Sequence, residues 1–523
     1  MTSSTPRAVP VVVVGAGPTG ITAATLLAQY GIGCLVLDRY ATAYPQPRAV
    51  HLDDEVHRII ARLGVGAEFA AISRPAMGLR LLDRDFRLLA QFQRDAGASI
   101  HGYPQANMFD QPELEALLRA NLANYPNAQL RGDVDVTNVS QSDPGCVTVE
   151  FTDRSTGEQH LVEARYVLGC DGANSITRAS IGSAMKDLGF EQRWLVADVA
   201  TEAELNQWDG VHQVCNPVRA ATYMRIGPTR YRWEFRLLSG ESADDYRTLT
   251  ALRQLIEPWV EGIDDRRLQV LRIAEYTFRA QLADRWRDRN VLLLGDAVHL
   301  TPPFIGQGMG SGLRDAMNLA WKLAAVIGDD LPAGSLDTYE AERKPHVRMM
   351  IRLALGMGWA MTAGGRLGNL IRRLLVPRLY LIPGVRTRLL NSNTPPLRSS
   401  ALILKPRRPH GLSGSLCPNP VVSDAVRLDT LLGNGFGLIT AKPLDQPRRE
   451  ELRLRGTTVV IAQPGSELAR WLRSGRALAA VVRPDRTVMQ SGRRLRPLCN
   501  AIPRLTAAVE PARPAPLAVT EKI

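Results

Sequence analysis

Near its start the chain carries Pro10-Val11-Val12-Val13-Val14, a β-branched run of the kind found in strands buried on both faces of a parallel sheet. It runs straight into Gly15-Ala16-Gly17-Pro18-Thr19-Gly20, and Ile21 to Ala28 then reads as a helix. A second apolar strand, Cys34-Leu35-Val36-Leu37, ends at Asp38-Arg39. Each part of this unit has a physical task. Gly15 permits the tight turn, Gly17 lets the backbone approach a pyrophosphate, and Gly20 allows close packing of helix on strand. The helix start at Pro18 and Thr19 faces the phosphates with unpaired N–H groups. Asp38 follows Gly20 by eighteen residues (38 − 20), near the spacing at which a carboxylate accepts ribose hydroxyls. The unit predicts a dinucleotide site.

A chain of 523 residues exceeds what one core usually serves, so two or three domains are expected. With 45% apolar and 22% charged residues it reads as a globular protein. No secretory signal is visible in Met1–Pro10, which places the protein in the cytoplasm. The apolar stretch from Leu353 to Gly365, between Arg352 and Arg366, is far shorter than the roughly 20 residues of a spanning helix, so no membrane insertion is expected. Six cysteines, at 34, 146, 170, 215, 417 and 499, include no Cys-x-x-Cys pair, which argues against structural zinc and a disulfide framework. A net charge of +12 comes with no nucleic-acid recognition motif; it reads either as a solvated basic surface or as a positive field that draws in anionic ligands.

Two later segments continue the theme. Val291 to Leu294 is another buried-strand run, followed by Gly295-Asp296-Ala297-Val298-His299-Leu300-Thr301-Pro302-Pro303 and the turn Gly306-Gln307-Gly308-Met309-Gly310-Ser311-Gly312. Between the two glycine regions lies Gly169-Cys170-Asp171-Gly172-Ala173-Asn174-Ser175-Ile176-Thr177-Arg178. In this order the three segments resemble the signatures of the single-component FAD-dependent aromatic hydroxylases. The resemblance spans about residues 10–350, and its details in Pro47–Glu55, Cys215–Arg219, Tyr276-Thr277 and Arg314–Leu323 point to the branch acting on hydroxyphenylpropionate-like phenols.

The resemblance implies an α/β fold: a Rossmann-like FAD-binding domain of the p-hydroxybenzoate hydroxylase type, an inserted substrate-binding sheet domain and a C-terminal thioredoxin-like domain. The expected boundaries are FAD domain 8–180, substrate domain 181–276, returning FAD segment 277–395, linker 396–420, thioredoxin-like domain 421–505 and loose tail 506–523. It also implies FAD as cofactor, NADH or NADPH as cosubstrate, and O₂ and a phenol as the other partners. A homodimer is possible in such a family. Gly15, Gly17, Pro18, Thr19, Gly20, Asp38 and Arg39 would then hold the adenine-side half of FAD. Arg48, Gln111, Asp171, Gly295 and Asp296 would reach its middle, while Pro303, Gly306, Gly308, Met309 and Gly310 would meet the flavin ring. Relatives often carry Asn or Cys where this chain has Gly310, so Gly310 is expected to empty part of the pocket and shift substrate preference.

The implied chemistry is hydroxylation through a flavin C4a-hydroperoxide that the protein must shield from water. His51 is the candidate for the phenol contact and Asp54 the second choice, as groups able to accept a proton near neutral pH. Arg219, Tyr223 and Arg225 are candidates for a substrate carboxylate or hydroxyl. A tailoring hydroxylase of a larger polyketide or antibiotic phenol is the alternative. A flavin-dependent halogenase would carry a Trp-x-Trp pair, which is absent. From another class, a non-catalytic flavin-binding or ligand-sequestering protein would consume no NAD(P)H.

Overall fold

A computed structural model of the chain describes residues 8–44, 48–94, 97, 99–142, 145–362, 394–405, 411–423 and 425–506. Pro47, the 363–393 part of the expected returning FAD segment, linker residues 406–410 and the tail from 507 lie outside the described residues. Ala8–Val14 sits inside a sheet ordered Arg287–Asp288, Val291–Leu293, Gln159–Gly169, Ala8–Val14, Cys34–Leu37, Ala128–Arg131. Its pairings with Gln159–Gly169 and Cys34–Leu37 are parallel, with Val11 opposite Tyr166 and Cys34. Val11, Val12 and Val13 are fully buried, each contributing roughly 1.5–3 kcal/mol by leaving water. Helix α1 (Pro18–Gln29) covers this sheet. Pro18 opens it where no N–H partner is needed, and every residue from Gly20 to Gln29 is buried.

Beside this sheet His51–Asp53 pairs with Ala106–Phe109, which also pairs with Ser73–Pro75. Helix α2 (Asp54–Arg62) follows, capped by Asp53, whose Oδ1 accepts from the Val56 N–H at 2.9 Å.

A second sheet of eight strands runs His299–Leu300, Gln269–Ala283, Met185–Ala200, Arg230–Arg236, Ala221–Arg225, Val211–Cys215, Gly78–Asp83, Leu88–Gln93. The expected boundaries at 180/181 and 276/277 do not follow this sheet. Two of its strands come from residues 78–93, and Gln269–Ala283 runs through the second boundary. The physical reason is a parallel pairing of Gly78–Asp83 with Val211–Cys215, a long-range partnership that strand periodicity does not reveal. Helix α3 (Leu249–Val260) closes the outer face, placing Leu252, Ile256, Trp259 and Val260 in one core with Leu195, Val199, Tyr223, Tyr231 and Trp233.

Helix α4 (Gly308–Ile327) is buried from Gly310 to Val326 and packs along α1; helix α5 (Asp337–Thr362) lies against it. The C-terminal domain is thioredoxin-like. Its sheet runs Thr457–Ile461, Phe436–Thr440, Ala479–Val482, Val488–Gly492, the first pair parallel and the others antiparallel. The expected linker 396–420 is a packed segment where described: Leu402, Ile403, Leu412 and Cys417 are buried, and Leu404, Gly414 and Cys417 donate backbone N–H bonds to Met489, Val488 and Arg486. Its Pro and Gly content serves tight turns along a sheet edge. The domain is joined to the rest by buried charge. Lys322 of α4 meets Glu342 of α5 at 2.9 Å, and Arg483 grips the same carboxylate and Asp485. No helix among the described residues is long and apolar enough to cross a membrane.

Candidate active site

The two glycine regions meet. Gly15 has φ +99°, and a Cβ there would run into the Cys170 carbonyl at the end of Gln159–Gly169, so only glycine fits this turn. Thr19 joins the first turns of α1 and α4: a Cβ on Gly295 would lie 2.8 Å from its Oγ1, and one on Gly312 would meet the same oxygen. Gly17 and Gly308, by contrast, have nothing within 4 Å of where a Cβ would stand. Two helix N-termini with bare backbone at their openings form a cradle for anionic groups.

Asp38 lies beside this cradle, its Oδ2 accepting from the Ala16 N–H at 2.5 Å and its Oδ1 from Tyr40 N–H at 2.8 Å. Arg39 is turned aside to an exposed ion pair with Asp135 at 3.1 Å. Arg48 and Asp296, 248 residues apart, meet at 3.4 Å and are both half-exposed. Gln111 sets up that meeting, because its Oε1 accepts from the Arg48 and Ala49 N–H groups at 2.9 and 2.7 Å and its Nε2 donates to Glu115. Asp171 differs from expectation. Both its oxygens are engaged locally, by Ser175 Oγ at 2.5 Å and by Thr177 N and Oγ1 at 3.0 Å, so it shapes the turn that supports Gly15.

Pro303–Ile305 forms one tight turn ending in Gly306, whose φ of +62° is left-handed. A Cβ on Gly306 would stand 2.7 Å from His51 Nδ1, so the imidazole packs closely on the backbone of this loop. His51 is half-buried and its Nδ1 is buried without a hydrogen-bond partner. Burial, and then Arg94, push its pKa down to about 4 against the opposing pull of Asp53 and the Gly306 backbone. Phe304 inserts into an aromatic face of the second sheet. Its ring lies 5.9 Å from that of Trp194 and 5.5 Å from that of Phe190, with Leu81, Cys215 and Ala220 in the same cluster. The Phe304 carbonyl accepts from Gln213 Nε2 at 3.1 Å. The second sheet therefore packs directly on this loop through an aromatic, carbon-rich face.

Under the glycine turn lies a buried charge network. Asp53 Oδ2 meets Arg314 Nη2 at 2.5 Å and Gln307 Nε2 at 2.8 Å, while Arg314 Nε meets Glu55 at 2.8 Å. Asp315 accepts from the Gly295 N–H at 3.1 Å and pairs with His299 at 2.7 Å and Arg343 at 2.8 Å. Sequence reasoning missed Gln213, Phe304 and this network. The available signal was Arg314-Asp315, two adjacent charges in the first half of a largely apolar helix that also carries Lys322.

Several expectations are corrected. Side chains alternate along a strand, and in Ala221–Arg225 it is Tyr223 and Arg225 that face α3, away from the loop. Tyr223 packs against Trp259, and Arg225 donates to the carbonyls of Gly227 and Pro228. Arg219 spends both Nη groups on Glu241. Gly310 does not open the pocket: a Cβ there would lie 2.8 Å from Val56 Cγ2 and 3.0 Å from Arg314 Nη1. The Met309 side chain packs on the main core, which does not bear on the backbone role the resemblance implies for it. The Asp54 expectation is not among these: Asp54 is buried and accepts from Ser99 Oγ at 2.5 Å, and burial, then Asp53, raise its pKa to about 7.

The cradle fits FAD. Bare backbone at Gly17 and Gly308 suits pyrophosphate and an anionic ring, the Arg48–Asp296 pair offers a donor and an acceptor between them, and the aromatic, carbon-rich face suits a flat heterocycle. Among known proteins, a family model described as FAD binding domain matches residues 8–354. The chain is 32% identical to a probable NADH-specific resorcinol 4-hydroxylase of Rhodococcus jostii (strain RHA1), covering 98% of each chain. It is 31% identical to a 3-(3-hydroxy-phenyl)propionate/3-hydroxycinnamic acid hydroxylase of Burkholderia cenocepacia (strain HI2424), covering 91% of this chain and 93% of that protein. Among solved structures it is similar to the flavin-dependent monooxygenase PieE with FAD and substrate (TM-score 0.78, 22% identity, 97% and 99% covered). It is likewise similar to aklavinone-11 hydroxylase with FAD and aklavinone (TM-score 0.77, 22% identity, 95% and 99% covered). Shared architecture, cradle and relatives agree that the chain belongs to the FAD-binding-domain family and is an FAD-dependent aromatic hydroxylase using NAD(P)H and O₂.

Proposed function

We propose that this enzyme hydroxylates a small phenol bearing a second substituent meta to its hydroxyl, with NADH as reductant, in the cytoplasm. The balance is ArH + O₂ + NADH + H⁺ → ArOH + NAD⁺ + H₂O. The carrying observation is the half-buried His51, held by its Nδ1 edge against Gly306 beside the aromatic face that receives Phe304. The relatives support the meta pattern, since resorcinol and 3-(3-hydroxyphenyl)propionate are both meta-substituted phenols.

Bound FAD supplies the electrons that activate O₂. The chain's own residues do the rest. Phe304, Trp194 and Phe278 exclude water from one side of the ring. With a pKa near 4, His51 is neutral at pH 7, and its Nε2, the ring nitrogen not sealed against Gly306, accepts a hydrogen bond from the phenol O–H. A phenol near pKa 10 lies about six units above it, so full transfer would cost about 8 kcal/mol. His51 therefore holds and polarises the hydroxyl while charge develops on the ring, and does not act as a resting base. The N-terminus of α4, with its unpaired N–H groups, would stabilise negative charge on a reduced flavin held there.

The test is to mix the yellow holoenzyme with NADH and resorcinol, 3-(3-hydroxyphenyl)propionate or phenol, and to follow NADH loss and product mass. Stimulated oxidation with a product heavier by one oxygen atom is expected. If no phenol is oxygenated, the reading is wrong.

A further inference from the structure

Between the FAD domain and the C-terminal domain lies a cavity of about 380 Å³ that stands apart from the hydroxylation site: Gly17, Gly308, His51 and Phe304 are not among its walls. Helix α2 contributes Arg58 and Ile59, α4 contributes Arg314 and Met317, and α5 contributes Arg343 and His346. The packed 411–423 segment and the C-terminal domain close it with Leu416, Trp471 and Arg486. Its charged members are five arginines against three acids, Glu55, Asp429 and Asp485, so the space carries a positive excess.

His346 is the open polar group. It is 5% exposed, and its Nδ1 lies 3.0 Å from Arg343 Nη1. A guanidinium can only donate, so Nδ1 accepts and the imidazole is neutral with its proton on Nε2. That Nε2 makes no hydrogen bond among the described residues, yet it is not sealed in the protein as His51 Nδ1 and His57 Nε2 are. With Nδ1 turned to Arg343 and the ring on the cavity wall, the Nε2–H points into the cavity and lacks an acceptor.

The surroundings select that acceptor. Burial, then Arg343 and Arg314, hold the His346 pKa well below the usual histidine range, and no acid opposes them. An acceptor beside Nε2 therefore gains by carrying negative charge. His101 is built alike, its Nδ1 3.3 Å from Arg58 Nη1, but Asp53 and Asp429 offset the arginines around it. Arg343 cannot take the anion itself, because its Nε goes to Asp315 and its Nη2 to the Ser311 carbonyl. The remaining wall, with Ile59, Met317, Leu397, Leu416 and Trp471, suits an apolar body. Water is poorly served, since roughly a dozen molecules of ~30 Å³ would fill the space and each needs about 2–4 polar partners.

We propose that this cavity is a second ligand site, which takes the anion of a small carboxylic acid with an apolar body: the carboxylate accepts from His346 Nε2–H and the body fills the carbon-lined remainder. An occupant touches both domains and so braces their union. It also reaches toward the cofactor, because His346, Arg343 and Asp315 form a chain that ends on the Gly295 N–H, next to Asp296.

The test titrates octanoate, and separately octanamide, into the FAD-loaded holoenzyme by calorimetry and follows the thermal midpoint with octanoate in excess. One octanoate per chain is expected, with octanamide about tenfold weaker or more, because the charged acceptor makes the stronger hydrogen bond. Octanoate should raise the midpoint. His346→Leu should keep its FAD and weaken octanoate by about tenfold or more. His346→Gln, whose amide can accept from Arg343 and donate into the cavity, should stay within about threefold of the wild type. No binding of octanoate up to about 10 mM would mean a solvent-filled cavity only and would overturn the proposal. So would acid and amide binding alike, and neither comparison needs a variant to fold. Undiminished octanoate binding by His346→Leu would place the acid elsewhere, the substrate site included, and would overturn it as well.

Discussion

Arg314→Met tests how the glycine turn is held. Asp53 and Arg314 are 1% and 4% exposed and meet at 2.5 Å, and Arg314 also meets Glu55. Removing the guanidinium leaves Asp53 only Gln307 Nε2 and the Val56 N–H. Breaking a buried pair from one side costs about 3–5 kcal/mol. The sign with pH follows. Burial alone would raise the Asp53 pKa, but Arg314 holds it down to about 2, so the pair's contribution is complete above an ordinary carboxylate value and is lost as pH falls through 2. In the variant, burial is left unopposed by Arg314 and the pKa rises, so the penalty opens above about pH 4 and grows with pH. Urea unfolding of the holoprotein, followed by flavin fluorescence released from the FAD domain, should show a larger loss at pH 8 than at pH 5. Asp53→Asn/Arg314→Met should recover about 2–3 kcal/mol of it, since Asn Oδ1 can still accept from the Val56 N–H and its Nδ2 can donate to the Gln307 Oε1 that Arg314 no longer occupies. A loss below about 1 kcal/mol at pH 8, where 3–5 is expected, would refute the reasoning. So would a pH-independent loss, or a double variant no better than the single.

His51→Ala should keep FAD yet uncouple NADH oxidation from product formation, read as hydrogen peroxide released per NADH. Because His51 is held near pKa 4, wild-type coupling should be flat from pH 6 to 8 and fall only as pH drops toward 4; a limb at the ordinary histidine value would contradict its placement. Gly310→Asn should cost about 1–3 kcal/mol by crowding Val56 and Arg314 while leaving the rank order of phenols unchanged. Tyr223→Phe, on the α3 side, should alter kcat/KM for any phenol by less than about twofold, or ~0.4 kcal/mol.

The features legible in the sequence were those whose signal is local. Val11–Val14 announces a buried strand and Gly15 the tight turn that follows it, which the structure makes with left-handed backbone. What stayed hidden depends on partners far along the chain. Nothing near Asp53 says that its cation is Arg314, 261 residues on. Periodicity shows that residues 221, 223 and 225 share a face but not which face, and a shift of one position separates a substrate contact from a core tyrosine. The strands from 78 to 93 looked like part of the first domain because strand pattern carries no address for its neighbour.

The Lys322–Glu342–Arg483 cluster has a consequence for how the molecule comes into being. Glu342 leaves the ribosome 141 residues before the arginine that completes its pairing. Until then Trp321, which packs against Phe436 and the underside of the C-terminal sheet, has no cover. The last domain to be made is the lid on the first, so a nascent chain stopped anywhere before Arg483 exposes a sticky, half-neutralised face to chaperones and proteases.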